Sequence, residues 1–221
     1  MSAATDPIRE PLSRERVLRS AMAVADAGGI GSLTMRRVAQ DLGVEAMSLY
    51  YHVANKDDIL SGIADLVVSE IELPPPAAPW KSSLRTTAIS AHRVLLGHPW
   101  AASLVLSSSG TGPARLQYME SMLGSLRHAG FSADLTDHAY HVLESHIMGF
   151  TLWVVGMDLG TEDELRSMAA AFVTELPAGQ YPYLVEHIDQ HLGERSPDDE
   201  GSFAFGLDLI LDGLERLLEA G

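Results

Sequence analysis

Residues 33–60 read LTMRRVAQDLGVEAMSLYYHVANKDDIL, and this stretch decides the fold. Thr34 precedes Met35, Val38, Ala39 and Leu42, apolar positions three and four apart, which predicts a short helix with a hydroxyl cap at its start. Gly43 stops that helix where a tight turn needs positive φ. A second short helix is predicted from Ala46 to His52, with Leu49 and Val53 facing inward. Asn55 caps a longer third one, and Asp57 and Asp58 in its first turn favour the positive end of the helix dipole. Its apolar face is Ile59, Leu60, Ile63, Ala64, Val67 and Ile71. Two short helices joined by a glycine turn have the spacing of a helix-turn-helix.

Working outward, residues 1–11 hold Pro7 and Pro11 with little apolar periodicity and read as a loose arm. Ser13 is the expected cap of a helix carrying Val17, Ala21, Val24 and Ala25, ended by Gly28–Gly29. On the other side, the proline cluster from Pro74 to Pro79 is the clearest boundary. It divides the chain into an arm at 1–11, an N-terminal domain at 12–72 and a C-terminal domain at 80–221. Beyond the prolines the pattern stays helical, near 80–97, 99–107, 113–130, 134–159, 161–175 and 203–219. The longest, 134–159, is about 39 Å as a helix at 1.5 Å per residue. Its centre, from Ile147 to Val155, is apolar nearly all round and must be buried within one chain or between two. Residues 176–202 are polar and rich in Pro, Gly and Asp, so they read as a loop, with Asp198, Asp199 and Glu200 solvated. No stretch alternates with period two. The chain reads as all-α.

Composition narrows the function. The 221 residues suffice for a buried core, and 46% are apolar. There is no cysteine, which excludes disulfides, Cys-based zinc sites, thiol catalysis and cysteine redox sensing. The longest uncharged apolar stretch, Ile147–Met157, is far short of the ~18 residues needed to span a bilayer. No basic region followed by an apolar run opens the chain, so a cytoplasmic protein with no membrane partner is expected. Gly-x-Ser-x-Gly, His-Glu-x-x-His, phosphate-loop and Gly-x-Gly-x-x-Gly patterns are all missing, so no catalytic residue and no cofactor is assigned.

The second helix of the motif is dense in groups that suit a DNA groove. Ser48, Tyr50, Tyr51 and His52 can bond phosphate or base edges, and aromatic faces pack on thymine methyls. Arg36 and Arg37 open the first helix of the motif, and Lys56 stands at the next helix N-terminus, where free N–H groups favour a phosphate. The bland alternative is a helical hairpin with a solvated polar face. Two adjacent tyrosines followed by a histidine are an odd way to build one.

Residues 33–60, with their Leu-Tyr-x-His-Val-x-x-Lys string, closely resemble the DNA-binding domain of the tetracycline-repressor family. His98-Pro99-Trp100, the long helix through Gly149-Phe150, and the run from Phe205 to Leu214 are more loosely similar to that family's C-terminal domain. The resemblance implies a homodimeric, ligand-responsive regulator. It would be a repressor that binds a pseudo-palindromic double-stranded operator and is released by a small apolar or amphipathic effector. It implies that Arg36 reaches a guanine, that Ser48, Tyr50, Tyr51 and His52 line the groove or backbone, and that Lys56 holds a phosphate. Ala46 and Met47 depart from the tetracycline repressor, which has a base-reading Gln and a Pro there. Neither can bond adenine bidentately, so a different operator is expected, with Met47 giving apolar contact only. The family dimer is a four-helix bundle of the long and last helices, which the apolar content of 147–155 and of Phe203, Leu207, Ile210, Leu211, Leu214, Leu217 and Leu218 fits.

The C-terminal half offers polar groups in apolar context: His92, His98, His141, Glu144, His146, Trp153 and Asp158. His138, His141 and Glu144, three apart, can share a helix face and suggest a ligand or metal site. Equally, each histidine can be a core or interface residue satisfied by a neighbour. Met119, Met122, Met148, Phe150, Trp153 and Met157 form either an adaptable pocket wall or plain core. The effector candidates are therefore His92, His98, Met119, Met122, His141, Glu144, Met148 and Trp153, with no metal assigned. Two other readings stand beside the first: a same-fold regulator controlled by a protein partner, and a metal-dependent enzyme using the His and Glu groups.

Net charge is −15, which by itself argues against a nucleic-acid partner. Its distribution argues otherwise. Residues 12–56 carry six basic and four acidic side chains, a net of +2, so the remainder holds −17. Such a chain suits a placed, salt-sensitive contact with DNA rather than loose binding.

Overall fold

The structure, a computed structural model, describes residues 11–75, 78–107, 112–156, 162–177, 179–193 and 200–220. Among these, all regular structure is helical: α1 (Arg14–Gly28), a 3₁₀ turn (Ile30–Ser32), α2 (Met35–Leu42), α3 (Ala46–Leu49), α4 (Lys56–Ser69), α5 (Trp80–Gly97), α6 (Ala101–Ser107), α7 (Pro113–His128), α8 (Ala133–Gly156), α9 (Glu162–Glu175), α10 (Pro182–Gly193) and α11 (Glu200–Ala220). Residues 1–10 of the expected arm at 1–11, and the expected roles of Met157, Asp158, Asp198 and Asp199, lie outside the described residues.

The N-caps read from sequence open three of the first four helices, α1, α2 and α4. Ser13, Thr34 and Asn55 accept from the backbone N–H groups of Arg16, Arg37 and Asp58, each satisfying one orphan donor of a first turn. Gly43 ends α2 at φ 64°, ψ 39°, the left-handed conformation that a side chain disfavours. Two stretches differ from expectation. The second helix of the motif, α3, ends at Leu49, with Tyr50 as its C-cap, instead of running to His52. Within 176–202, where a loop is expected, Pro182–Gly193 is a helix, and α11 begins at Glu200 rather than 203. Proline at the first helical position starts α10 without losing a bond.

The chain forms two compact units. One comprises the described residues up to Glu70 with Gly97–Tyr118; the other comprises Ile71–Leu96 and the described residues from Met119 onward. This division differs from a simple break at the prolines, because α6 and the first turn of α7 pack with α4. In the first unit, Val17, Ala21, Ala25, Leu33, Val38, Leu49, Ile59, Ile63 and Val67 are buried where α1, α2, α3 and α4 meet. In the second, α8 and α11 pack through Leu143, Ile147, Phe203, Leu207 and Leu211. Lys81 and Arg85 of α5 pair with Asp212, Glu215 and Asp208 of α11. Those bonds raise the Lys81 ammonium and hold the Asp208 carboxyl below their ordinary values.

Candidate nucleic-acid interface and effector cluster

The recognition element is one helical turn followed by an irregular one, and two side chains peg it. Leu49 and Val53 are buried, so the side chains between and before them must point away from the core. Met47 is 71% exposed, Tyr50 48% and Tyr51 89%. Ala46, Ser48 and His52 are half-buried on the same turn. Met47 and Tyr51 leave much apolar surface in water.

Around this turn lie cations that hold no ion pair among the described residues: Arg36 and Arg37 on α2, both exposed, and Lys56 at the start of α4. Arg14 is committed elsewhere. Its guanidinium grips the Asp58 carboxylate at 2.6 and 2.9 Å and donates to the His52 carbonyl at 3.3 Å. Asp58 also accepts from the Ala54 N–H at 2.8 Å. The guanidinium foremost, then this backbone donor, holds the Asp58 carboxyl at about 2, below its ordinary 3.8, and the Arg14 guanidinium is raised in turn. The pair ties α1 to the end of the turn at His52 and to the first turn of α4.

In the second unit a cluster of rings forms where α5, α8 and α11 meet. Phe203 stacks with His92 (centroids 4.1 Å, 7° between planes) and with His146 (4.8 Å, 22°). Phe150 meets His92, Phe203 and Trp153 edge-on at 5.6 Å each. The Thr151 hydroxyl spends its one proton on the Ile147 carbonyl at 2.7 Å, so at 2.8 Å it can only accept from His92 Nδ1–H. Nδ1 of buried His92 therefore carries a proton. His146 Nε2 donates to the Phe203 carbonyl at 2.9 Å.

The eight effector candidates do not converge. His92 and Trp153 belong to the ring cluster, and Met148 is buried on α8. Met122 is fully buried core, and Met119 beside it is half-buried. His141 is exposed and turned back on its own helix, its Nδ1 donating to the Asp137 carbonyl at 2.8 Å, while Glu144 is half-buried one turn on. His98 lies apart from these, in the first unit. Its ring bridges Asp26 of α1 at 2.7 Å and Glu70 after α4 at 3.4 Å, beside Trp100, whose indole N–H donates to the same Asp26 oxygen at 2.7 Å. Among the described residues no three His, Asp or Glu side chains are grouped to hold a metal ion. A cleft of about 520 Å³ beside Pro74, Trp80, Glu120 and His128 contains none of the eight.

Comparison with known proteins gives the arrangement a family. Residues 17–63 match the model of bacterial regulatory proteins, tetR family, and residues 73–218 match the tetracyclin repressor-like C-terminal domain. The chain belongs to the tetracycline-repressor family. Tetracycline repressor protein class D of Escherichia coli is 33% identical over 214 residues, covering 95% of this chain and 92% of that one. Among solved structures, the family protein ActR of Streptomyces coelicolor in complex with actinorhodin superimposes with a TM-score of 0.78 at 28% identity, over 94% of this chain and 99% of that one. BioQ with its double-stranded DNA operator gives 0.63 at 25% identity, over 92% and 98%.

As a member of this family the chain is a DNA-binding transcriptional regulator. No described helix is long and apolar enough to cross a membrane. Sequence reasoning missed Phe203, Thr151 and His146 as a ring cluster with His92, and Asp26 as the partner of His98 and Trp100. Aromatic and histidine content flagged the first group. Nothing in the sequence brings Asp26 to a histidine 72 positions away.

Proposed function

We propose that this chain is a ligand-responsive repressor that binds a pseudo-palindromic operator as a homodimer. The observation that carries this reading is the pegged recognition turn, with Met47 and Tyr51 exposed beside three cations that hold no ion pair. Arg36 reads a guanine. Ser48, Tyr50, Tyr51 and His52 line the groove or its backbone, Lys56 holds a phosphate, and Ala46 and Met47 offer only apolar contact, suited to thymine methyls. Arg36→Ala is expected to cost about 1–3 kcal/mol at one base pair and to relax the preference there. Binding to duplexes selected from random-sequence DNA measures it. If Arg36→Ala keeps the wild-type sequence logo, Arg36 does not read a base.

The dimer reading is supported by an apolar outer face on the second unit. Val142 and Trp153 on α8 are exposed on a stripe with Ser145 and Gly149, positions spaced to share one side of the helix. On α11, Phe205, Leu209 and Leu217 are exposed opposite the buried Phe203, Leu207 and Leu211. Small residues on α8 let a partner helix approach closely, and a two-fold dimer sets the recognition elements about 34–36 Å apart, one turn of DNA.

The effector is a small, flat, partly apolar molecule recognised at the ring cluster of His92, Phe150, Trp153 and Phe203. Stacked rings accept another ring. Likeness to a tetracycline repressor and to ActR bound to actinorhodin supports this class. The chain performs no catalysis in this role and works on DNA in the cytoplasm. Thermal-shift screening with multi-ring aromatic compounds tests the effector class. A set of such compounds that leaves the melting temperature unchanged favours control by a protein partner instead.

A further inference from the structure

We propose that Asp65 of α4 is the positioning residue that couples operator binding to the second unit, by gripping the start of α7. This rests on the repressor reading and adds the link through which the two states communicate.

The starting point is a helix whose own sequence cannot cap it. Leu116 N–H donates to the Gly112 carbonyl at 3.1 Å, so Gly112 occupies the N-cap position of α7. A glycine offers no side-chain oxygen. Pro113 at the first helical position has no N–H, so the orphan donors are those of Ala114 and Arg115. Both go to one carboxylate, from a residue about 50 positions away: Arg115 N–H donates to Asp65 Oδ1 at 3.0 Å and Ala114 N–H to Oδ2 at 3.3 Å. The Asp65 charge also lies at the positive end of the α7 dipole. The absence of a side chain at position 112 is part of the arrangement, because a Cβ there would overlap the Asp65 carboxylate.

Two further facts give this grip a role beyond stability. Asp65 lies on α4, the helix that begins at Lys56 and whose first turn holds Arg14 and the recognition turn through Asp58. And α7 is one continuous helix whose first turn belongs to the first unit while Met119–His128 belongs to the second. A helix is stiff along its axis, so a displacement of either end of α7 is carried to the other. Asp65 converts such a displacement into a pull on α4. A cap supplied by α7 itself would stabilise the helix equally and transmit nothing.

Coupling is reciprocal: if an effector alters operator affinity through this link, operator DNA must alter the second unit through it by the same free energy. The duplex can therefore serve as the probe. Wild type, Asp65→Asn, Asp65→Ala and Gly112→Ala are compared with and without a duplex selected on the wild-type protein. Amide exchange is read on α4, on the first turn of α7 and on Met119–His128. All four are expected to bind the duplex within about threefold of one another, and in wild type the duplex slows exchange in Met119–His128 by about threefold or more. That slowing falls by about half in Asp65→Asn, which keeps one acceptor oxygen, and vanishes in Asp65→Ala and Gly112→Ala. Slowing that survives in Asp65→Ala, or is missing from wild type, overturns the proposal. So does loss of duplex binding in step with melting temperature, which makes Asp65 a fold-stabilising residue only. A chain that enriches no duplex at all removes the regulator reading, and the coupling with it.

Discussion

Neutralising Asp58 should loosen the DNA-reading unit by about 1 kcal/mol at neutral pH, and by about half of that at pH 3. Its carboxyl is held at about 2 in the folded chain, against an ordinary 3.8, chiefly by the Arg14 guanidinium and next by the Ala54 N–H. A carboxyl that binds its proton less tightly when folded stabilises the fold above its unfolded pKa. That contribution disappears as pH falls through 3.8 towards 2. At about 1.36 kcal/mol per tenfold, the upper bound is about 2.4 kcal/mol. Asp58 is 29% exposed and Arg14 48%, so solvent screening brings this near 1 kcal/mol. The assay is a double-mutant cycle of Asp58→Asn and Arg14→Gln, read by urea denaturation at pH 7, 5 and 3. The coupling should be equal at the first two values and about halved at the third. Coupling that does not change with pH, or lies below about 0.3 kcal/mol at pH 7, refutes the claim that this ion pair holds α1 to the end of the recognition turn.

Gly43→Ala is expected to cost about 1–2 kcal/mol, because it places a Cβ on a left-handed turn at φ 64°. Denaturant titration measures it, and a loss below about 0.5 kcal/mol would mean that the turn between α2 and α3 relaxes. Leu209→Glu puts a charge on the exposed apolar face of α11 and should convert the dimer to monomers with little change in helix content. Sedimentation velocity with circular dichroism separates these outcomes, and an intact dimer would move the interface off α11.

The parts of this molecule that could be read from sequence are those whose cause lies within one turn. Ser13, Thr34 and Asn55 cap the helix that follows each of them, and Gly43 ends the helix before it, so each announces itself locally. The pegged recognition turn follows from Leu49 and Val53 in the same way. What escaped has a distant cause. His98 sits among effector-half residues in sequence, yet Asp26 and Glu70 hold it in the first unit. Asp65 caps a helix whose own N-terminal residues, Gly112 and Pro113, only reveal that a cap is missing. The α10 helix was hidden by its flanks: its own Leu184, Val185, Ile188 and Leu192 recur at helical spacing, but the Pro, Gly and Asp residues on either side give the whole segment a loop-like composition.

The division of labour in the recognition turn bears on how such regulators diversify. Leu49 and Val53 carry the folding requirement, while Met47 and Tyr51 project into solvent and carry almost none of it. Substitutions at the exposed positions can accumulate without unfolding the protein, so a duplicated copy can drift to a new binding sequence through functional, folded intermediates. A bacterium can then hold many sister regulators that share one scaffold and ignore one another's promoters.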